Sequence, residues 1–484
     1  MSRVEQQPRY IDLFAGCGGL SLGLEAAGFE LVFALERSPD AAATYFHNFI
    51  EPIDSHRSWH QSYSDGLEDL DHLERQLKKK LVVMDIRRVV ALIDSDKTGR
   101  IKSYFSNVDL IAGGPPCQGF SAAGKRNPND GRNSLAGQFL EMVRRVRPRF
   151  VLVENVEGMA RKFNGHDDHA PLYGIANVLG EIGYDVQPLL LNAKYFGVPQ
   201  NRPRVFILGE RKAKGRPIVH PLYKQNGDLG NSARPDLLPT MAKEGATVKN
   251  ALQDLKIKWA QPRSNYTKTL NEELGSLVLG ALAKDSKQLA NHEYRRHSLK
   301  TRSRFRALQE FKRFGLNRDL IYWAAIAGEN SPAGAKARDS LEREITGHAD
   351  VISSVLEALE SDPDVAAYIG GIPRKRSAKA CFVQILECLS SKKHSQKVLD
   401  GNRVSSTIMT IPDDYIHYAE PRVLTVREEA RLQSFPDNFE FKGKVTTGGN
   451  MRGKEVPQYT QVGNAVPPLL AKAIGETIAR RLGK

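Results

Sequence analysis

Residues 9–28 read RYIDLFAGCGGLSLGLEAAG, and this stretch sets the architecture of the first half of the chain. RYIDLFAG is a short apolar strand that runs into a glycine turn, and LSLGLEAAG is a helix closed by Gly28. Gly16, Gly18 and Gly19 let the backbone approach a nucleotide-like ligand at the helix start. A dinucleotide fingerprint GxGxxG would need a glycine where Ser21 stands. Taken alone, the segment reads equally well as a tight structural turn.

The same alternation continues outward. FELVFALE (29–36) is a second strand, and SPDAAATYFHNF (38–49) is a helix with Ser38 as N-cap and Pro39 at its first position. LVVMDI (81–86), VDLIAGG (108–114), FVLVENV (150–156) and RVFILGE (204–210) add further strands, while residues 50–80 read as a charged insertion. Strands alternating with helices predict an α/β fold with a doubly wound, mostly parallel sheet and ligands at the strand carboxyl ends.

From about residue 215 the alternation stops. A Gly/Pro/basic stretch, 211–239, leads into a mixed region up to about 420 with helical patterns at 304–314, 319–327 and 348–360. TVREEARLQ (425–433) and PPLLAKAIGETIARRL (467–482) then restore tight helical order. The simplest architecture is one domain made from both ends of the chain, with a smaller domain inserted between them.

The bulk numbers bound the function. A net charge of +14 over 484 residues favours a polyanionic partner, nucleic acid above all, although a basic solvated surface gives the same number. No apolar run reaches the roughly 18 residues of a membrane helix. The polar start MSRVEQQPRY has no signal-peptide core, so a cytoplasmic chain is expected. Cys17, Cys117, Cys381 and Cys388 form no CxxC pair, which predicts reduced thiols and no metal site.

Chemistry concentrates at the predicted strand ends. Glu36 ends the second strand, where a carboxylate can hold ribose hydroxyls. Asp85 ends the third, where one can accept from an adenine amine, and Phe14 can stack on the adenine. This set suits S-adenosylmethionine better than a dinucleotide, because nothing is arranged for a pyrophosphate. GGPPCQGFS (113–121) holds Cys117 on a stiff turn at the end of the fourth strand. Enzymes that methylate base amines carry an aromatic residue after such prolines. A cysteine there fits cytosine C5, a weak nucleophile that must be activated by thiolate addition at C6; an inert buried cysteine is the plainer alternative. Glu154, after four apolar residues, can have a raised pKa and bond to or protonate cytosine N3. Arg202 and Arg204 share one face by the two-residue period and can bind the base O2, bind a phosphate, or favour the thiolate.

The ordered set DLFAGCGGLS, GGPPCQGFS, ENV, QNRPR, RVLTVREEARLQSFPDNF and QYTQVGNAVPPLLA resembles the DNA (cytosine-5)-methyltransferase family, over roughly 1–210 and 405–484. The resemblance implies a Rossmann-like S-adenosylmethionine-dependent methyltransferase domain, 1–215 plus 455–484, with a smaller target-recognition domain at 216–420 and a connecting segment at 421–454. It implies Cys117 as nucleophile, with Glu154 and Arg204 binding a flipped cytosine and Arg202 supporting that edge. Phe14, Gly16, Gly18, Gly19, Glu36, Asp85, Ile86, Pro116, Leu135, Asn464 and Ala465 would bind S-adenosyl-L-methionine, with no metal. Gln118 and Ser121 would lie on a loop closing over DNA, and Thr407–Ile408 matches a Thr-aliphatic pair near base readout. The expected partner is double-stranded DNA, met by a monomer, with a cognate restriction endonuclease acting separately.

In the inserted region, NHEYRRHSLKTRSRFRALQEFKRF (291–314) interleaves basic residues with Tyr294, Phe305, Phe311 and Phe314. Groove insertion and phosphate contact are one reading; an amphipathic helix that packs its phenylalanines is the other. PRKRSAK (373–379) has the same ambiguity. Rival functions are the same chemistry on RNA, a non-catalytic DNA-binding homologue and, more distantly, a nicotinamide oxidoreductase.

Overall fold

Strand order fixes where every candidate residue lies. The structure, a computed structural model, describes residues 6–53, 59, 69–116, 134–161, 170–225, 234–242, 245–257, 260–282, 288–370, 377–448, 451 and 455–483. In chain order the strands are β1 (Arg9–Leu13), β2 (Glu30–Glu36), β3 (Leu81–Val83), β4 (Leu110–Gly113), β5 (Phe150–Val156), β6 (Tyr184–Asn192), β7 (Gln200–Asn201), β8 (Pro203–Arg211) and β9 (Tyr223–Lys224). Eight of them make one sheet in the order β3-β2-β1-β4-β5-β8-β6-β9. β3, β2, β1, β4 and β5 pair in parallel, and β8 runs antiparallel to both β5 and β6.

Both faces of this sheet are covered, so its central strands are continuous apolar runs, with β4 buried throughout. Helices α1 (Gly19–Ala26), α2 (Pro39–Phe49) and the C-terminal helix cover one face through Leu20, Leu24, Phe46, Leu470, Ile474 and Ile478. A Cβ on Gly23 would lie 2.4 Å from the Ala471 Cβ, so this glycine lets α1 sit directly on the C-terminal helix. Helices α3 (Leu70–Lys78), α4 (Ile86–Ser95), α5 (Ser134–Val146) and α6 (Leu172–Glu181) cover the other face through Leu73, Val89, Ile93, Phe139, Val143 and Leu179. The helix after β1 and the helix after β4 therefore lie on opposite faces. A crevice opens between those two strand ends.

Two local expectations change. Residues 50–80 are not only an insertion: α3 is capped by Asp69, which accepts from the His72 N–H at 2.8 Å, and Leu73 and Leu77 are buried in the core. The third strand stops at Val83, because Asp85 caps α4 by accepting from the Arg87 N–H at 2.9 Å. Ser38 and Pro39 start α2 as expected.

The middle of the chain is helical. Helices α7 (Val248–Leu252) and α8 (Asn265–Leu274) share a third core with Cys17, Leu22, Leu424, Phe435, Phe439 and Tyr459. Fully buried Arg431 ties these segments by pairing with Asp254 at 2.6 Å and Asp437 at 2.7 Å. Helices α9 (Leu299–Arg313), α10 (Leu320–Ile326), α11 (Pro332–Gly347), α12 (Ala349–Ser361), α13 (Pro363–Ile369) and α14 (Ala378–Leu389) build a fourth core, which Ile416 and Val423 join. Short strands β10 (Lys397–Val398), β11 (Ser405–Ser406) and β12 (Tyr415–Ile416) follow, and β11 pairs in parallel with β7. Helices α15 (Val426–Leu432), α16 (Gln458–Asn464) and α17 (Pro468–Leu482) close the chain. No helix among the described residues is long and apolar enough to cross a membrane.

Candidate active site

The turn after β1 departs from ordinary backbone. Phe14 has φ 62°, and Gly16 and Gly18 have φ 57° and 98°. A positive φ is costly for a residue with a side chain, so the surroundings hold Phe14 in place. Part of that hold is Glu36 at the end of β2, whose two oxygens accept from the Gly16 N–H at 2.8 Å and the Ser38 N–H at 2.6 Å. Burial raises the Glu36 pKa, while those amides and the neighbouring Arg37 pull it back. Gly19 opens α1.

Asp85, the carboxylate expected to face the adenine, is differently placed. Both oxygens of Asp85 bond the Arg87 guanidinium, at 2.9 and 2.8 Å, and Arg37 stands 3.7 Å away. These arginines, Arg87 first, lower the Asp85 pKa. Ile86 is buried beside it. Leu135 is half-buried against the same core.

A second cluster forms at the ends of β4 and β5. Asn155 donates to the Pro115 carbonyl at 3.1 Å and so fixes the start of the Pro115–Pro116 segment. Cys117, Gln118 and Ser121 lie outside the described residues. Glu154 stands directly over Gly114, where a Cβ would come within 2.9 Å of its Oε2. Because β8 is antiparallel to β5, its start reaches the same edge. There the Arg204 Nε lies 3.1 Å from the Glu154 Oε1, each side chain 12% exposed. Burial raises the Glu154 pKa, and the charges of Arg204 and Arg202 oppose the rise.

Arg202 does not join this pair by hydrogen bond. It is fully buried and donates to the carbonyls of Ile408 at 3.3 Å, Gly463 at 2.8 Å and Ala465 at 3.1 Å. Burial first, then Arg204, pushes its pKa well down. Its three acceptors bring the Thr407 segment and the end of α16 against the strand that carries Arg204. Thr407 itself donates to the Asn201 carbonyl at 2.9 Å. Asn464 is exposed at the end of α16, and Ala465 is buried next to it.

Sequence reasoning assigns no role to Asn155, Gln200 or Gln461. Gln200 accepts from the Ile408 N–H at 2.9 Å and donates to Gln433 at 2.8 Å. Gln461 accepts from Thr44 at 2.6 Å and donates to the carbonyls of Lys442 and Val456. The signal is present in the chain: each sits inside one of the motifs, within three residues of a residue expected to carry a chemical role. In the insertion, Phe305 and Phe311 are buried in the helical core, at 1% and 0% exposure, which leaves neither for groove insertion. Tyr294 is 40% exposed and lies 4.7 Å beneath Arg422. Residues 373–376 of the second basic cluster lie outside the described residues.

A doubly wound sheet with a glycine turn, a Pro-Pro strand end and a Glu–Arg pair on one edge defines an α/β enzyme. The family model for C-5 cytosine-specific DNA methylase matches residues 9–73 and 85–480, and the chain belongs to that family. It is similar to the type II methyltransferase M.AgeI of Thalassovita gelatinovora, 28% identical over 495 residues covering 97% of this chain and 98% of that one. It is likewise similar to M.DdeI of Desulfomicrobium norvegicum, 29% identical over 476 residues, 97% of this chain and 88% of that one. Its fold is similar to that of an E. coli chain described as a prophage-encoded DNA modification methyltransferase, with TM-score 0.55, 22% identity and coverage of 99% and 100%.

Proposed function

We propose that the chain methylates C5 of a cytosine flipped out of duplex DNA, using S-adenosylmethionine and a covalent bond from Cys117 to C6. The observation that carries this reading is the Glu154–Arg204 pair on the same edge as the glycine turn and the Pro115–Pro116 segment. Extrusion of the base costs a few kcal/mol, offset by contacts to the flipped base. Glu154, raised by burial, bonds cytosine N3 and draws electron density from C6. Arg204 orients that carboxyl and presents its remaining donors to the base. Thiolate addition at C6 makes C5 nucleophilic, S-adenosylmethionine supplies the electrophilic methyl group, and loss of the C5 proton to a base or water allows elimination of Cys117.

The residues fit the cofactor's chemistry. Glu36 is a buried acceptor facing the strained Phe14 turn, and a ribose diol is a donor pair. Asp85 can accept from adenine once Arg87 yields an oxygen. Arg202 acts as a positioning residue, holding Asn464–Ala465 and Thr407 near Arg204. The helical core of 299–389 supports a recognition module narrower than 216–420, since 248–289 packs with the segment around 424–465. The names of the type II relatives support a DNA-modification role; a cytoplasmic monomer that works beside a separately acting endonuclease belongs to the same proposal.

Bisulfite sequencing of DNA from cells expressing the protein should show one methylated sequence context. A short duplex carrying that context with 5-fluorocytosine should then form an adduct with wild type and none with Cys117→Ser. Methylation confined to RNA, or an adduct that survives the substitution, would overturn the reading.

A further inference from the structure

We propose that the opposite edge of the sheet is a second binding surface for duplex DNA, an inference that rests on the reading of the chain as a DNA methyltransferase. β8 carries Arg204 at its second position, on the edge proposed to be catalytic, and ends with Arg211. Seven residues at about 3.3 Å each put the two ends about 23 Å apart, facing opposite ways. A straight duplex held at one end does not reach the other.

Around Arg211 the backbone gathers cations from three separate segments. The Arg211 N–H bonds the Arg149 carbonyl at 2.8 Å, its guanidinium bonds the Arg147 carbonyl, and Arg149 donates to the Arg481 carbonyl at 2.8 Å. Lys214 and Arg216 follow on an exposed turn, and exposed Arg480 precedes Arg481. Nearby carboxylates are already taken. Glu210 accepts from Arg234 and Arg481, each at 2.9 Å, and lies 3.9 Å from Arg149. Asp236 pairs with the same two arginines, and Asp185 pairs with Lys212 at 3.2 Å. Glu141 holds Arg144 and Arg145, and Glu476 lies 3.9 Å from Lys472. Arg147, Arg211, Lys214, Arg216 and Arg480 have no carboxylate partner among the described residues.

A partner for this surface is a polyanion with regularly spaced charges. Arginine suits phosphate oxygens, and phosphate contacts need no apolar anchor. A protein partner would be expected to bring an aromatic or apolar centre against the patch, where among the described residues Ile218, 51% exposed, is the one large apolar side chain in the open. The long DNA that the enzyme modifies supplies such a polyanion as a second segment. Holding it would keep the enzyme on the same molecule between methylation events.

The experiment occupies the catalytic edge first. Wild type is trapped on a short 5-fluorocytosine duplex, and binding of a labelled 30-bp duplex lacking the target is followed against salt. The trapped enzyme should bind this second duplex with a log–log salt slope of about −4 to −5, one phosphate for each of the five cations. The variant Arg147→Asn/Arg211→Gln/Lys214→Gln/Arg216→Gln should trap as well as wild type, which shows that it folds, and bind the second duplex at least about tenfold more weakly. Lys214→Glu alone, on the exposed turn, should weaken it severalfold. Absence of second-duplex binding by wild type overturns the inference, as does equal binding by Lys214→Glu or stronger competition by single-stranded RNA or polyglutamate. Failure to trap overturns the methyltransferase reading, and this inference with it.

Discussion

The Glu36 and Glu154 edge of the sheet and the helical module of 299–389 use charged residues in opposite ways. At the edge, Glu36 ends β2 and Glu154 lies two residues before the end of β5, where burial raises their pKa and one or two donors hold each in place. In the module the charges cancel at the surface: Arg302 pairs with Asp364 at 2.8 Å, Arg306 with Asp362 at 3.3 Å and Lys379 with Glu342 at 2.5 Å. Solvent screens such exposed pairs, which contribute little to stability. Desolvation therefore tunes chemistry in one region, while in the other the apolar side chains carry the fold. A basic sequence run is consequently no guide to a basic surface.

The first tests press on the edge, where single atoms matter. Cys117→Ala should lower methyl transfer by at least about 10³-fold, with cofactor affinity by calorimetry unchanged. Activity within tenfold of wild type would remove Cys117 as nucleophile. Glu154→Gln should cost about 10²–10³-fold in kcat. Glu154 has a pKa raised by burial, so the wild-type rate should fall as pH rises past that value and the carboxyl loses its proton. The variant should be slow and flat across the same range. A wild-type profile identical in shape to that of Glu154→Gln would sever Glu154 from the proton step.

In the module the large effect should fall on stability. Phe311 is fully buried and lies edge-on to Phe382, with ring centroids 5.8 Å apart. Phe311→Ala should cost about 3–5 kcal/mol in denaturant unfolding of the helical region. Retained stability with lost DNA affinity would reverse the assignment and return Phe311 to the DNA face.

The same contrast explains what is legible in the sequence. Strand ends in an α/β sheet are marked by an apolar run that stops at a polar residue, so Glu36, Glu154 and the glycine turn can be placed from pattern alone. Register cannot. Arg202 and Arg204 share a period, yet Arg202 lies between β7 and β8, where the chain steps under Ile408 and Gly463. Nothing in QNRPR announces acceptors more than two hundred residues away. The antiparallel β8, which brings Arg204 to Glu154, is equally hidden, because strand direction is set by the connection and not by the strand. The phenylalanines of 304–314 carry two readings, since a helix that packs its aromatic residues and one that presents them have the same spacing.

Buried carboxylates sharpen the contrast in a pH-dependent way. Asp12 on β1 is fully buried; its Oδ2 accepts from Ser21 at 2.7 Å, and its pKa is raised to about 7, chiefly by burial. Glu428 on α15, also fully buried, bonds Arg422 through both oxygens at 2.7 Å, and its pKa is lowered to about 2 against the burial that would raise it. The signs oppose. For Asp12 the folded value exceeds the ordinary 3.8, so the folded state holds the extra proton and stability falls as pH rises from about 4 to 7. For Glu428 the folded value lies below the ordinary 4.5, so its contribution is complete above that pH and is lost as pH falls toward 2. Asp12→Asn keeps an acceptor for Ser21 and removes the titration. It should leave stability near wild type at pH 4 and raise it by on the order of 2–4 kcal/mol at pH 8, since holding one proton against each pH unit is worth about 1.4 kcal/mol. Thermal unfolding at the two pH values checks this directly. An Asn variant no more stable than wild type at pH 8 would mean that Asp12 is ionised and paired in the fold, as Glu428 is, and the contrast between the two carboxylates would fail.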